Sequence, residues 1–290
     1  MPPKNILIQF DTDAHASVFD RVVAVDAGVD HLFSYESVNV DNVTGLVHGA
    51  MFTRGPATLK HSAIFVGGSE VAAGEALLAQ IRKTFIGPIS VSVMMDSNGC
   101  NTTAAAAVVA AARHLDLKNC NAVVLGATGP VGLRAAQLLA SEGARVTVVS
   151  RSQHRAASAC EAIRSRCDTG TLTPAAADSP EQIMDLCQGR ELIIAAGAAS
   201  VCFLPTDSLT TLDGLKVAID LNAVPPAGIA DIVAQAKAVE QDGVICYGAL
   251  GVGGTKMKVH KAAIQRLFES NGRVYDTKQI YELACEVSSR

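Results

Sequence analysis

The run VVLGATGPVG, Val123 to Gly132, passes from a short β-branched strand through a glycine turn into an alanine- and leucine-rich stretch, Val131 to Glu142, that reads as a helix. Its glycines recur as G-x-x-G-x-x-G at Gly126, Gly129 and Gly132. Such a turn aims free N–H groups and the positive end of a helix dipole at a pyrophosphate. Gly126 permits the tight turn, Gly129 lets the backbone approach the phosphates, and Gly132 lets the helix pack against the strand. Pro130 suits the first helical turn, where its missing N–H has no intrahelical partner. The turn residues Gly126, Thr128, Gly129, Pro130, Val131 and Gly132 are therefore expected to line a dinucleotide.

The next strand, Arg145 to Ser150 (RVTVVS), refines this expectation. It ends in Ser150-Arg151-Ser152, where an NAD site would place an acidic residue on the ribose 2′-OH. A carboxylate repels a 2′-phosphate, whereas a guanidinium binds it through paired charge-assisted hydrogen bonds. Ser150 and Arg151 thus point to NADP, with NAD use left open.

At 290 residues the chain can build two domains with substantial cores. Only 18% of residues are charged against 49% hydrophobic, a balance that suits buried parallel strands. Trp is absent and the net charge is −4, which argues against a nucleic-acid partner. Thr102 to Ala112, the most membrane-like run, is too short to span. Met1-Pro2-Pro3-Lys4 leads straight into a strand, so no leader is expected, and eight scattered cysteines without a C-x-x-C pair read as reduced thiols in a cytoplasm. No metal cluster is expected.

Strands and helices alternate along most of the chain. Strands are expected at Asn5–Phe10, Ser62–Val66, Ile89–Met95, Glu191–Ala196, Lys216–Leu221 and Val244–Tyr247. Helices are expected near Ser17–Ala27, Glu70–Phe85, Gln153–Cys167, Ser179–Gln188 and Ile229–Glu240, with Thr102–His114 as a connecting helix capped by Thr102. Residues 30–61 are ambiguous apart from a helix near Asn42. Gly248 to Gly254 reads as a glycine-rich loop, followed by helical segments from Lys256 to Ser270 and from Gln279 to Glu286. The pattern is that of an α/β protein: a Rossmann-type doubly wound parallel sheet plus a smaller α/β substrate domain. In such sheets ligands lie beyond the carboxyl ends of the strands. That rule selects Asp11, Asp13, Asp96 and Asn98 in the first part of the chain. It selects Ala196, Gly197, Asn222 and the stretch leading to Lys256 in the second.

Five collinear segments carry a family resemblance: QFDTDAHASVFD (Gln9–Asp20), AIFVGGSEVAAGE (Ala63–Glu75), DSNGCNTTAAA (Asp96–Ala106), LGATGPVG (Leu125–Gly132) and GALGVGGTKMKVHKAAI (Gly248–Ile264). Together they resemble the bacterial NAD(P)-dependent methylenetetrahydromethanopterin dehydrogenases. The resemblance implies hydride transfer from methylene-tetrahydromethanopterin to NADP⁺, with methylene-tetrahydrofolate accepted by some relatives. It implies a homo-oligomer, a trimer or a multiple of it. It also implies that the terminal helical segment returns to the first domain, giving a discontinuous pterin domain (1–103 with 256–290) around an NADP domain (104–255). Carried over on the matched GVGGTKMKVHK run, Lys256 becomes an active-site residue.

Hydride loss leaves a cation spread over two nitrogens, so Asp11 and Asp96 are expected near the reacting carbon, with Asp13, Asn98, Thr102 and His260 on substrate. An ammonium beside that carbon would oppose the cation, so Lys256 is expected to orient a pterin oxygen, a carboxylate or the nicotinamide amide. A shikimate-type dehydrogenase would instead need a Lys–Asp base pair, and neither Lys60 nor Lys83 sits at an expected strand end. A non-enzymatic NADP-binding regulatory module would leave the polar strand ends of the first domain without a task.

Overall fold

The computed structural model describes residues 3–289; Met1 and Pro2, the start of the leaderless opening expected above, lie outside them. The chain divides into two compact units, Met1–Thr102 with Met257–Arg290, and Thr103–Lys256.

The first unit opens β1 (Ile6–Asp11), α1 (Val18–Asp26), β2 (His31–Tyr35), α2 (Val43–Phe52), β3 (Ser62–Gly67), α3 (Val71–Thr84) and β4 (Ser92–Met95), and leads into α4 (Cys100–Ala112). Ser17 caps α1 by accepting from the Asp20 N–H at 3.2 Å, and Gly28, at φ +85°, ends it. β2 lies in the stretch that was ambiguous by sequence: its alternation HLFSY is short and half exposed, with no buried apolar run to mark it. Thr102 does not cap α4, which already begins at Cys100. Asp96 takes that place, its Oδ1 accepting from the N–H groups of Asn101 (2.9 Å) and Thr102 (3.0 Å).

The second unit holds β5 (Asn121–Leu125), α5 (Pro130–Ser141), β6 (Arg145–Ser150), α6 (Gln153–Arg164), β7 (Thr171–Ala176), α7 (Pro180–Cys187), β8 (Leu192–Ala195), β9 (Val217–Asp220), β10 (Lys237–Gln241) and β11 (Val244–Tyr247). Two expectations fail here. The helix proposed for Ile229–Glu240 is absent: β10 and β11 form an antiparallel hairpin about Asp242 (φ +50°) and Gly243 (φ +81°). Asp-Gly with both residues at positive φ is the turn whose twist suits a two-residue hairpin. The glycine-rich loop at Gly248–Gly254 is also absent, because α8 (Ala249–Arg266) begins there. Gly251 lets this helix lie against the backbone just before β10: a Cβ on it would stand 1.8 Å from the Ala236 carbonyl oxygen. The chain then returns to the first unit through β12 (Val274–Tyr275) and α9 (Thr277–Ser288), the latter opened by an Asp276–Gln279 capping box.

The first unit carries a five-stranded parallel sheet ordered β12-β4-β3-β1-β2. The second carries seven strands ordered β10-β11-β9-β8-β5-β6-β7, parallel except for β10. From β7 to β11 that order is the dinucleotide-binding arrangement, with the direction of winding reversing between β5 and β8. Val123, Leu125, Ile193, Ala195 and Ala218 contribute to the core of this sheet.

Candidate active site

In the second unit the β5–α5 turn has the geometry that a pyrophosphate cradle requires. Gly126 sits at φ +70°, and a Cβ there would meet the Ala196 carbonyl oxygen and Gly197 Cα, both at 2.9 Å. The loops after β5 and β8 therefore touch at the switch point, with room for hydrogen alone. A Cβ on Gly132 would stand 2.6 Å from the Gly126 oxygen, so α5 begins pressed against the turn. Gly129 is different: extended at φ −78°, ψ 165°, its Cβ would find nothing nearer than 3.3 Å, and it is partly open to solvent with Thr128 and Val131. Pro130 is the first residue of the helix. A cofactor phosphate fits a surface whose glycines are demanded by the fold on one side and open on the other.

At the end of β6, Ser150 is buried and Ser152 caps α6 by accepting from the Arg155 N–H at 3.4 Å. Arg151 between them is exposed, its side chain at solvent. Asn222, expected on the cofactor, is occupied with its own loop, donating to the Pro226 carbonyl (2.8 Å) and accepting from the Val224 N–H (3.0 Å). The strand-end residue that the sequence reading passed over is Asp220. Its Oδ1 accepts from the Asn222 N–H (3.0 Å) and its Oδ2 from the Ile229 N–H (3.1 Å), with Gly228 a further backbone donor. Burial pushes the Asp220 carboxyl above its ordinary range, against the pull of those donors. Asp220 ends the same strand that flagged Asn222, so the strand-end rule could have found it.

In the first unit the polar strand ends are brought to one edge, but two of the three aspartates are enclosed. Asp11 is fully buried, its carboxylate accepting from the N–H groups of Asp13 (3.0 Å) and Ser17 (2.9 Å) and from Gln9 Nε2 (3.2 Å). Asp96 is fully buried as well. Besides capping α4 it accepts from Thr102 Oγ1 at 2.6 Å and stands 3.7 Å from His260 Nδ1. His260, with no exposed surface, stacks on Phe65 at 5.5 Å between ring centroids. Asp11, Asp96, Thr102 and His260 thus sit beneath the surface as the frame of the strand ends, not on it where substrate contact was expected.

Of the residues expected on substrate at this edge, Asp13 and Asn98 reach solvent. Asp13 accepts from the Ser69 N–H (2.9 Å) and Oγ (3.0 Å), tying the loop after β1 to the loop after β3. Asn98 holds φ +54° and donates its N–H to the Gly68 carbonyl at 2.8 Å. Asn101, absent from the expected set, links β4 to α9 by donating to the Met95 carbonyl (2.7 Å) and accepting from Thr277 Oγ1 (2.8 Å). Lys256 lies within α8, nearly buried, instead of at a loop–helix junction.

A Rossmann-ordered unit with a glycine cradle, joined to a second parallel α/β unit with polar strand ends, defines a nicotinamide-dependent dehydrogenase class. Solved structures of similar fold include a shikimate 5-dehydrogenase from Listeria monocytogenes (15% identity, 97% of this chain and 96% of that one, TM-score 0.57). A quinate dehydrogenase from Corynebacterium glutamicum is another (13%, 97% and 98%, TM-score 0.52). At these identities the likeness is one of fold.

The profile for the N-terminal region of methylene-tetrahydromethanopterin dehydrogenase matches residues 18–98, and one for putative NAD(P)-binding matches 114–201. Two Methylorubrum extorquens proteins match along the whole chain. "Bifunctional protein MdtA" is 43% identical over 98% of this chain and 99% of its own. "NAD(P)-dependent methylenetetrahydromethanopterin dehydrogenase" is 30% identical over the same shares. The chain belongs to the NAD(P)-dependent methylenetetrahydromethanopterin dehydrogenase family.

Proposed function

We propose that this chain oxidises methylene-tetrahydromethanopterin to the methenyl form by hydride transfer to NADP⁺, as a step of one-carbon metabolism. The observation that carries this is end-to-end similarity to a curated dehydrogenase of that name, together with the glycine cradle at Gly126–Gly132. Bound at that cradle, a nicotinamide dinucleotide would supply the hydride acceptor. The α5 N-terminus would hold its phosphates through the partly exposed turn residues Thr128, Gly129 and Val131. Arg151, exposed after β6, selects the 2′-phosphate with Ser150 beside it, and Ala196 and Gly197 border the switch point.

The pterin unit contributes position and charge. Asp13 and Asn98 contact substrate at the strand ends, while Asp11 and Asp96 act from beneath, holding the loops that present them. Negative charge concentrated at this edge favours the cation that hydride loss creates. Lys256 orients a polar group of substrate or cofactor, away from the reacting carbon. No helix among the described residues is long and apolar enough to cross a membrane, and we place the enzyme in the cytoplasm as a homo-oligomer, a trimer or a multiple of it.

NADPH formation by purified protein with methylene-tetrahydromethanopterin, methylene-tetrahydrofolate and shikimate tests the reading. The tetrahydromethanopterin substrate should be turned over fastest. Turnover of shikimate alone, or of neither pterin, overturns it.

A further inference from the structure

The loop that follows β8 turns back on itself. Val201 donates its N–H to the Ala198 carbonyl (3.3 Å), and Ser200 takes φ +69°. That turn returns Phe203 onto Gly197. A Cβ on Gly197 would overlap the Phe203 ring, 2.6 Å from its Cζ, and the three atoms nearest to it all belong to that ring. Phe203 therefore fills the space that a side chain at Gly197 would take. Gly197 in turn abuts the first glycine of the cradle: a Cβ on Gly126 would stand 2.9 Å from the Gly197 Cα.

The backbone holds Phe203 in this place. Its N–H (2.8 Å) and that of Leu204 (3.1 Å) both donate to the Gly228 carbonyl, and the Leu204 carbonyl accepts from the Ala230 N–H at 2.9 Å. Gly228 is pinned to Asp220: a Cβ there would stand 2.8 Å from Asp220 Oδ1, and the Ile229 N–H donates to Oδ2 at 3.1 Å. Leu204 and Ile229 are fully buried, so water does not compete for these bonds. The ends of β8 and β9 are thus joined to the cradle through Asp220, Gly228, Phe203, Gly197 and Gly126. Phe203 is the one ring in this series, half-buried against the core of the sheet.

We propose that Phe203 is a positioning residue for the dinucleotide: by lying on Gly197 it sets the loop after β8 against the cradle, and with it the seat of the nicotinamide half. A doubly wound sheet takes one mononucleotide over each half, divided at the switch point. Arg151 follows β6, in the half that takes the adenosine; Phe203 follows β8, in the other. A ring on Gly197 has no group that distinguishes a 2′-phosphate, so its effect is the same on NADP⁺ and NAD⁺. The proposal rests on the reading of Gly126–Gly132 as the phosphate cradle.

Calorimetric titration of the full chain tests it, with NADP⁺, NAD⁺ and adenosine 2′,5′-bisphosphate, which lacks the nicotinamide half. Circular dichroism melts report folding. Phe203→Ala should weaken NADP⁺ and NAD⁺ by the same factor, roughly 10- to 100-fold, leave adenosine 2′,5′-bisphosphate at wild-type affinity, and be largely rescued by Phe203→Leu. If the alanine variant does not fold, Gly197→Ala, which drives the ring off, takes its place with the same expectation. Because its methyl and the ring compete for one space, adding Phe203→Ala to Gly197→Ala should cost nothing further. Wild-type NADP⁺ affinity in a folded Phe203→Ala or Gly197→Ala protein overturns the role of Phe203 alone. So does equal weakening of NADP⁺ and adenosine 2′,5′-bisphosphate, the mark of a merely structural residue. Wild-type NADP⁺ affinity in Gly129→Ala overturns the cradle reading itself.

Discussion

Replacing Gly129 by alanine should separate cofactor binding from stability, which neighbouring glycines cannot do. Gly129 is extended, at φ −78°, so alanine meets no backbone strain, and its Cβ would lie 3.3 Å from the Gly126 oxygen and 3.8 Å from that of Ala196. Losing unfolded-state freedom favours the variant by about 0.4–1 kcal/mol, and a poorer N-cap opposes it by about as much. The net effect on stability should lie within about 1 kcal/mol, a shift of roughly 2–4 °C at this size. Gly132→Ala is the contrast. Its Cβ would stand 2.6 Å from the Gly126 oxygen and 2.9 Å from Ala127 Cα, backbone atoms that cannot rotate away. Overpacking of this kind costs about 1–3 kcal/mol, so this variant should melt lower by roughly 2–12 °C. On the proposed cofactor site, a methyl at Gly129 would obstruct the approach of a phosphate to the α5 N–H groups. Losing one charge-assisted contact, about 1.5–3 kcal/mol, weakens affinity by roughly 10- to 150-fold. Differential scanning fluorimetry and calorimetric titration with NADP⁺ measure the two effects separately. Wild-type affinity in a well-folded Gly129→Ala protein would refute the assignment of this turn to the phosphates.

Arg151→Ala should raise the KM for NADP more than that for NAD by a factor worth about 1.5–3 kcal/mol, with the fold untouched because the side chain is exposed; unchanged selectivity removes Arg151 from the 2′-phosphate. Thr102→Val deletes the 2.6 Å hydroxyl donor to buried Asp96 and should cost about 1.5–3 kcal/mol, with Thr102→Ser restoring most of it. A valine variant melting with wild type would show that the contact carries no stability. Asp220 supplies a pH test. Its carboxyl is raised in the folded state, so its stabilising share is full below the unfolded value of about 3.9 and is lost as pH rises through the folded value. The Tm of wild type relative to Asp220→Asn should therefore improve as pH falls from 7 towards 4.5. A gap that is constant or narrows towards acid contradicts the direction of the shift.

The dinucleotide unit was largely legible because its signals are local. RVTVVS is a strand over its full expected range, and the glycine spacing is dictated by contacts of a few ångströms within one turn. The errors arose where a residue type serves two purposes. Glycines at 248–254 suggested a loop, yet Gly251 is small so that a helix can lie on the Ala236 backbone. The segment before β11 carried a helix-like apolar spacing, but Asp242-Gly243 is a hairpin turn and the stronger signal. Among the strand-end acids, position was readable and direction was not. Whether Asp11 points to solvent or to the Ser17 N–H depends on the turn after β1, which no periodicity encodes.

That distinction changes the electrostatic role the aspartates can play. A carboxylate at the surface can touch a cation but is screened by water and free to move away from it. Asp11 and Asp96 are held by backbone N–H groups, which fix where their carboxyl groups sit. Charge fixed in this way does not reorganise during a reaction, which is what makes a preorganised group effective at a developing cation. The same hydrogen bonds keep these two carboxyl groups beneath the surface, so on the proposed reaction Asp13, clamped by Ser69 yet partly exposed, is the carboxylate able to act at short range. On the proposed reaction, Asp13→Asn should therefore lower kcat with little effect on the melting temperature, whereas Asp96→Asn should lower both.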